Sequence, residues 1–149
     1  MTIATLFPAD RILVGLKMKD KAQLLRDLAQ RAEAAGAGIP ASQILAALAA
    51  REALGSTGLG RGFALPHARM EGIAEPFALF ARLARPIDFA AIDGQPVDIV
   101  VLLLTQAHSD AAHLTALSLV SRRLRDRDLL ARLRRAEGAG SIVGMLTAD

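Results

Sequence analysis

The chain of 149 residues contains no cysteine, no tryptophan and no tyrosine, and its only aromatics are five phenylalanines. Without cysteine there are no disulfides, no thiol nucleophiles and no cysteine-based zinc sites. Aromatics at 3% leave no stacking platform for nucleic-acid bases. Long apolar runs are missing as well: Ile99 to Leu104 falls far short of the roughly 20 residues that span a bilayer, and the opening MTIATLFPADR lacks the basic start and apolar stretch of a secretory signal. A cytoplasmic protein with no membrane insertion is therefore expected. Neither charge dominates, with 18 basic residues against 15 acidic ones.

What the chain does have is aliphatic mass. Hydrophobic residues make up 52% of it, so the core must be built from Ala, Leu, Ile and Val. At this length one core is expected, hence one domain over 1–149 with about 70% of the unfolded surface buried. ILVGL (Ile12 to Leu16) reads as a short strand. Asp20 is an N-cap candidate for a helix carrying Leu24, Leu25, Leu28 and Ala32 on one face. GAGIP breaks that pattern, and a second helix runs from about Ala41 through Ile44, Leu45 and Leu48 to Arg51, where Gly55 stops it. Phe77 to Leu83 and Val97 to Leu104 read as strands, the second almost without polar residues and so covered on both faces. Ser109 then opens a helix with Leu114, Leu117, Val120 and Leu124. Another starts near Asp126 with Leu129, Leu130 and Leu133, and Ile142, Val143 and Leu146 belong to a last short one. This order suggests a mixed sheet with helices on both faces.

One stretch stands out. GSTGLGRGFALPHARM places glycines at Gly55, Gly58, Gly60 and Gly62 ahead of His67, one of only three histidines. Closely spaced glycines mark backbone that turns with positive φ or lets another group approach it. Neutral imidazole is a nucleophile at neutral pH and can carry and pass on a phosphoryl group. Such a site needs backbone donors, a fixed positive charge and a held tautomer. The glycines are candidates for the first, and Arg51 or Arg69 for the second. His113 falls in the first turn of the helix capped by Ser109, where the helix dipole favours an anion and an imidazole can donate to phosphate without permanent charge. Taken alone, a histidine after proline in a loop is more often a turn residue than a nucleophile, and by the same logic His113 reads as a partly buried helix residue. A metal site has little support, because His108 and His113 are five apart and no HExxH spacing occurs. Seven arginines between Arg122 and Arg135 are interspersed with Asp126 and Asp128 and followed by Glu137, the pattern of a solvated helical face rather than a nucleic-acid footprint.

The run REALGSTGLGRGFALPHAR resembles the signature of the enzyme IIA proteins of the fructose, mannitol and nitrogen branches of the bacterial phosphotransferase system, where an RE…STGxGxGxAxPH pattern surrounds the phosphorylated histidine. IDFAAIDGQPVDIVVLLL is similar to the family's DGxPV stretch and strand, HLTALS to its second histidine motif, and KxxLLxxLA to its first helix, so the resemblance covers nearly the whole chain. It implies an α/β fold, a three-layer α/β/α sandwich with a mixed β-sheet. It further implies phosphorylation of His67 through Nε2, with His113 as the second active-site histidine and Arg51 as the arginine of the RE pair. The implied donor is a phosphohistidine on a histidine phosphocarrier protein, and no metal or organic cofactor belongs to the step. The onward partner is a regulatory client or a sugar-permease IIB domain. Because the chain ends at Asp149 with nothing attached, a nitrogen-branch regulator is expected ahead of a separately encoded sugar component. Clients are expected to bind through apolar residues near the site such as Leu59, Phe63 and Met70. The chain departs from the family pattern at Ala68, where many members have glycine, and at Thr105 and Gln106, where members often have a proline and an acidic residue.

Overall fold

Strand β6 (Val97–Gln106) organises the molecule. In the computed structural model, which describes residues 1–148, only Asp98 and Gln106 of this strand are not buried. Alternation sends its side chains to two separate cores. Val100, Leu102 and Leu104 pack with helices α2 (Lys21–Ala34) and α3 (Ala41–Ala53). Ile99, Val101 and Leu103 pack with α1 (Ile3–Leu6), α4 (Asp110–Leu124), α5 (Arg127–Arg135) and α6 (Ala139–Thr147). The result is the expected three layers, helices on both faces of a mixed sheet.

The sheet runs in the order β1-β5-β6-β3-β2, with β4 also on β6. β1 (Ile12–Leu16) is parallel to β5 (Phe77–Ile87), which is antiparallel to β6. β3 (Phe63–Ala64) and β4 (His67–Met70) lie one after the other along the far edge of β6, both parallel to it, opposite Ile99 and Val100 and then Leu103 to Gln106. β2 (Gly58–Gly60) closes a hairpin on β3.

Local chemistry accounts for the helix starts. Asp20 accepts from the Gln23 amide at 2.8 Å, Ser109 from Ala112 at 3.1 Å, and Asp126 from Asp128 at 2.9 Å, each satisfying an amide that the helix itself cannot. α1 and β4 were not expected, and β5 runs four residues beyond Leu83, to Ile87. HARM carries two polar residues in four and shows no apolar pattern of its own; pairing with β6 makes it a strand. Leu114, although at helical spacing with Leu117, Val120 and Leu124, is 64% exposed. Ala116, Val120 and Leu124 form the buried face of α4, and Leu114 lies about 200° around the helix from Ala116 at 3.6 residues per turn.

The late arginines are partly structural. Arg123 donates to the Leu146 carbonyl at 3.0 Å, and Arg134 pairs with Asp98 at 2.9 Å and donates to the Arg61 carbonyl at 2.6 Å. Arg82, from β5, donates to the carbonyls of Leu133 and Ala136 at the end of α5.

Three of the glycines before His67, Gly58, Gly60 and Gly62, belong to the β2–β3 hairpin. Gly60 and Gly62 take φ of 105° and 79° on either side of Arg61, itself at 57°, which makes the tight β2–β3 turn. Asp93 accepts from the Arg61 amide at 2.9 Å and holds that turn down. At Gly58 an added Cβ would lie 2.8 Å from the Ala91 Cα, so the backbone of the 88–95 segment would have to move. Gly58→Ala is therefore expected to destabilise the protein by about 1–3 kcal/mol, the usual cost of overpacking, measured by urea denaturation.

Candidate active site

His67 opens β4, and β4 pairs with β6 alone, so the outer edge of the strand is open to a cleft. The cleft, about 400 Å³, is lined by Ala47, Ala50, Arg51 and Leu54 from the end of α3, by His67, Ala68 and Arg69 from β4, and by His113 from α4. All four charged or imidazole residues singled out in the sequence, Arg51, His67, Arg69 and His113, thus meet in one place. No glycine of the 55–62 stretch lines it, contrary to the expectation that those glycines offer backbone donors to a phosphoryl group. Their task is to bring the chain through a tight hairpin so that Leu65 and Pro66 deliver His67 opposite Leu103. Two main-chain hydrogen bonds fasten that delivery: the Leu65 amide donates to Thr57 at 2.9 Å, and the Leu103 amide to Pro66 at 3.0 Å.

The His67 ring is held in one tautomer. Nδ1 lies 2.8 Å from the Leu65 carbonyl oxygen. A carbonyl only accepts, so Nδ1 carries the proton and the lone pair of the neutral ring is on Nε2. Burial pushes the His67 pKa below its ordinary 6.5, partly opposed by the Leu65 carbonyl, with Arg51 lowering it further and Glu52 raising it. At neutral pH the ring is uncharged and nucleophilic at Nε2.

The second imidazole lies close by. The ring centroids of His67 and His113 are 5.8 Å apart and the rings are inclined by 47°. His113 Nδ1 is 2.6 Å from the hydroxyl of Thr105, the last buried residue of β6. Its pKa is also lowered, first by burial, then by His67 and Arg69, while Asp110 opposes the shift.

The two arginines differ. Arg69 is bound to the Asp110 carboxylate and donates to the Ala107 carbonyl at 3.0 Å. Arg51 donates to the Gly55 carbonyl at 3.0 Å and, among the described residues, has no carboxylate partner. The sequence left the choice between them open; only Arg51 keeps its charge uncompensated beside His67. Its neighbour Glu52 explains the rest of the RE…ST pattern. With a side chain 6% exposed, Glu52 accepts from Lys21 Nζ at 2.8 Å, from the Thr57 amide at 3.0 Å and from the Thr57 hydroxyl. This carboxylate ties the end of α3 to the hairpin and to α2, a role that the RE pair of the motif left unassigned. His108 belongs elsewhere, paired with Glu71 at 2.8 Å on the surface. The apolar rim differs in part from expectation: Leu59 is exposed, at 43%, but the other two residues are not. Phe63 and Met70 are buried at 2% and 8% exposure, whereas Leu54, on the cleft wall, is 84% exposed.

A family model described as the phosphoenolpyruvate-dependent sugar phosphotransferase system, EIIA 2, matches residues 5–148. The chain belongs to this family. Enzyme IIA domains are phosphotransfer components, and the cleft's free imidazole nitrogen beside an uncompensated guanidinium suits that chemistry. The chain is 42% identical over 146 residues to a nitrogen regulatory protein of Bradyrhizobium diazoefficiens, covering 98% of this chain and 95% of the relative. It is 32% identical over 144 residues to a fructose-specific EIIA component of Haloferax volcanii, covering 97% and 94%. The crystal structure of the nitrogen regulatory protein IIA-Ntr from Neisseria meningitidis superimposes with a TM-score of 0.91 at 29% identity, over 97% of this chain and 99% of that one. No helix among the described residues is long and apolar enough to cross a membrane.

Protonation of an imidazole with a depressed pKa is completed only at more acid pH. In a histidine-resolved NMR titration, His67 and His113 should both show midpoints below 6.5. Arg51→Gln should move the His67 midpoint upward, since it removes a charge that disfavours the imidazolium. An unmoved midpoint would separate the guanidinium from the ring.

Proposed function

We propose that the protein accepts a phosphoryl group on His67 Nε2 from a phosphohistidine of a histidine phosphocarrier protein and that its role is that of a nitrogen-branch regulator in the cytoplasm. The observation that carries the reading is the 2.8 Å contact between His67 Nδ1 and the Leu65 carbonyl, which leaves Nε2 as the free nucleophile facing the cleft. The Nε2 lone pair attacks the phosphorus as the donor's N–P bond breaks. The donor ring, protonated at its other nitrogen, leaves as neutral imidazole, and the His67 ring becomes a phosphoimidazolium whose Nδ1–H stays on the Leu65 carbonyl. One N–P bond replaces another, so the step is reversible and gains mainly from positioning and charge. Arg51 supplies a fixed cation for the phosphoryl oxygens, and His113 a neutral donor at the start of α4.

The regulatory reading draws support from the likeness to nitrogen regulatory proteins over nearly the full length of both chains. Phosphorylation places a phosphoryl dianion, offset in part by its own imidazolium ring, in a cleft with an exposed Leu54 on its wall, and a partner that docks there meets a different surface in each state. The second reading, a sugar-branch component that passes phosphate to a IIB domain, has the fructose-specific relative in its favour.

Incubation with phosphoenolpyruvate, the first phosphotransferase enzyme and a phosphocarrier should add one acid-labile, base-stable phosphoryl group, detected by intact-mass spectrometry and lost in His67→Ala. Arg51→Ala and His113→Ala should each slow transfer by about 10²- to 10³-fold in rapid-quench kinetics. Full labelling of His67→Ala would overturn the assignment. Efficient transfer onward to a purified permease IIB domain, with no other protein telling the two states apart, would favour the sugar-branch reading.

A further inference from the structure

Thr105 stands at a position where the chain departs from the family pattern, and it is completely buried at the end of β6. Its hydroxyl has one polar partner among the described residues, His113 Nδ1 at 2.6 Å. A buried hydroxyl proton with no acceptor leaves a polar group desolvated and unpaired, which costs more than a good hydrogen bond returns. If Nδ1 were the donor, the Thr105 proton would be in that position. With the hydroxyl donating to Nδ1, both groups are satisfied, and the neutral ring must then carry its proton on Nε2.

We propose that Thr105 is a positioning residue: its hydroxyl donates to His113 Nδ1 and thereby fixes His113 as an Nε2–H donor toward the phosphoryl group on His67. The two imidazoles then have opposite tautomers, each imposed from the Nδ1 side by a different group. The Leu65 carbonyl makes His67 an acceptor at Nε2, and the Thr105 hydroxyl makes His113 a donor there. A nucleophile and a hydrogen-bond donor are thus built from the same side chain 5.8 Å apart, without a second permanent charge. The groups facing His113 keep it neutral on balance: burial, His67 and Arg69 disfavour its protonation against Asp110. The functional half of the inference rests on the phosphotransfer reading; the tautomer itself does not.

The test is two-bond ¹H–¹⁵N NMR of the imidazole nitrogens in the unphosphorylated protein, together with transfer rates, for wild type, Thr105→Val and Thr105→Ser. Wild type should show His113 with an acceptor-type Nδ1 and a protonated Nε2. Thr105→Val, which removes the hydroxyl at nearly constant volume, should give a mixed tautomer population and slow transfer by roughly 3- to 10-fold, the value of one net hydrogen bond. Thr105→Ser should restore both. A protonated Nδ1 in wild type overturns the proposal even if the valine variant fails to fold. So does a Thr105→Val protein whose His113 tautomer or transfer rate equals that of wild type. If His113→Ala itself transfers at the wild-type rate, the role assigned to His113 is what fails, while the wild-type spectrum still decides whether Thr105 holds the ring.

Discussion

Strand β6 is paired on both edges and covered on both faces, and its backbone sets the position of everything that matters at the cleft. Its antiparallel partner β5 leaves one edge free, and that edge is long enough for two short strands in succession. The second of these begins at His67, opposite Leu103. Two residues beyond Leu103, the same strand presents Thr105 to His113. One run of aliphatic residues, buried to remove it from water, thereby aligns His67 and the hydroxyl that contacts its neighbour His113.

The cleft gains its chemistry from groups that carry no charge of interest themselves. A main-chain carbonyl orients His67 and a hydroxyl orients His113, and burial lowers the pKa of both. Among the described residues, Arg51 is the one formal charge on the wall without an opposite partner, since Arg69 is bound to Asp110. Glu52, adjacent to Arg51, faces away from the cleft toward Lys21 and Thr57, and it stabilises the junction between α3 and the hairpin. Adjacent residues of opposite charge thus divide the work, one toward the cleft and one toward the scaffold. This arrangement fits phosphoryl transfer, which asks for placed donors and a cation more than for covalent chemistry by the protein.

The same physics explains why the glycine-rich stretch invites a misreading. Glycines that permit positive φ look alike whether they cradle a ligand or turn a hairpin, because the backbone requirement is the same. What distinguishes the two is the neighbour. At Gly58, Gly60 and Gly62 the nearest groups are Ser56, Ala91, Asp93, Asp98 and Arg134, and Gly60 and Gly62 take the positive φ that the β2–β3 turn needs.

The sequence by itself determined what depends on short-range chemistry. Asp20, Ser109 and Asp126 announce their helices because an N-cap satisfies amides two or three residues away. The burial of β6 on both faces follows from its composition, and the three-layer architecture from the order of apolar segments. Even the meeting of Arg51, His67 and His113 was legible through the motif that surrounds them. Tertiary structure alone decided the strand state of HARM, which exists only by pairing with β6, and the choice of Arg51 over Arg69, which turns on an Asp110 that lies 41 residues from Arg69. It also decided both tautomers. A tautomer depends on which atom stands within hydrogen-bond reach of one ring nitrogen, and for His113 that atom belongs to Thr105, delivered by a strand whose position is set by its partners across the sheet.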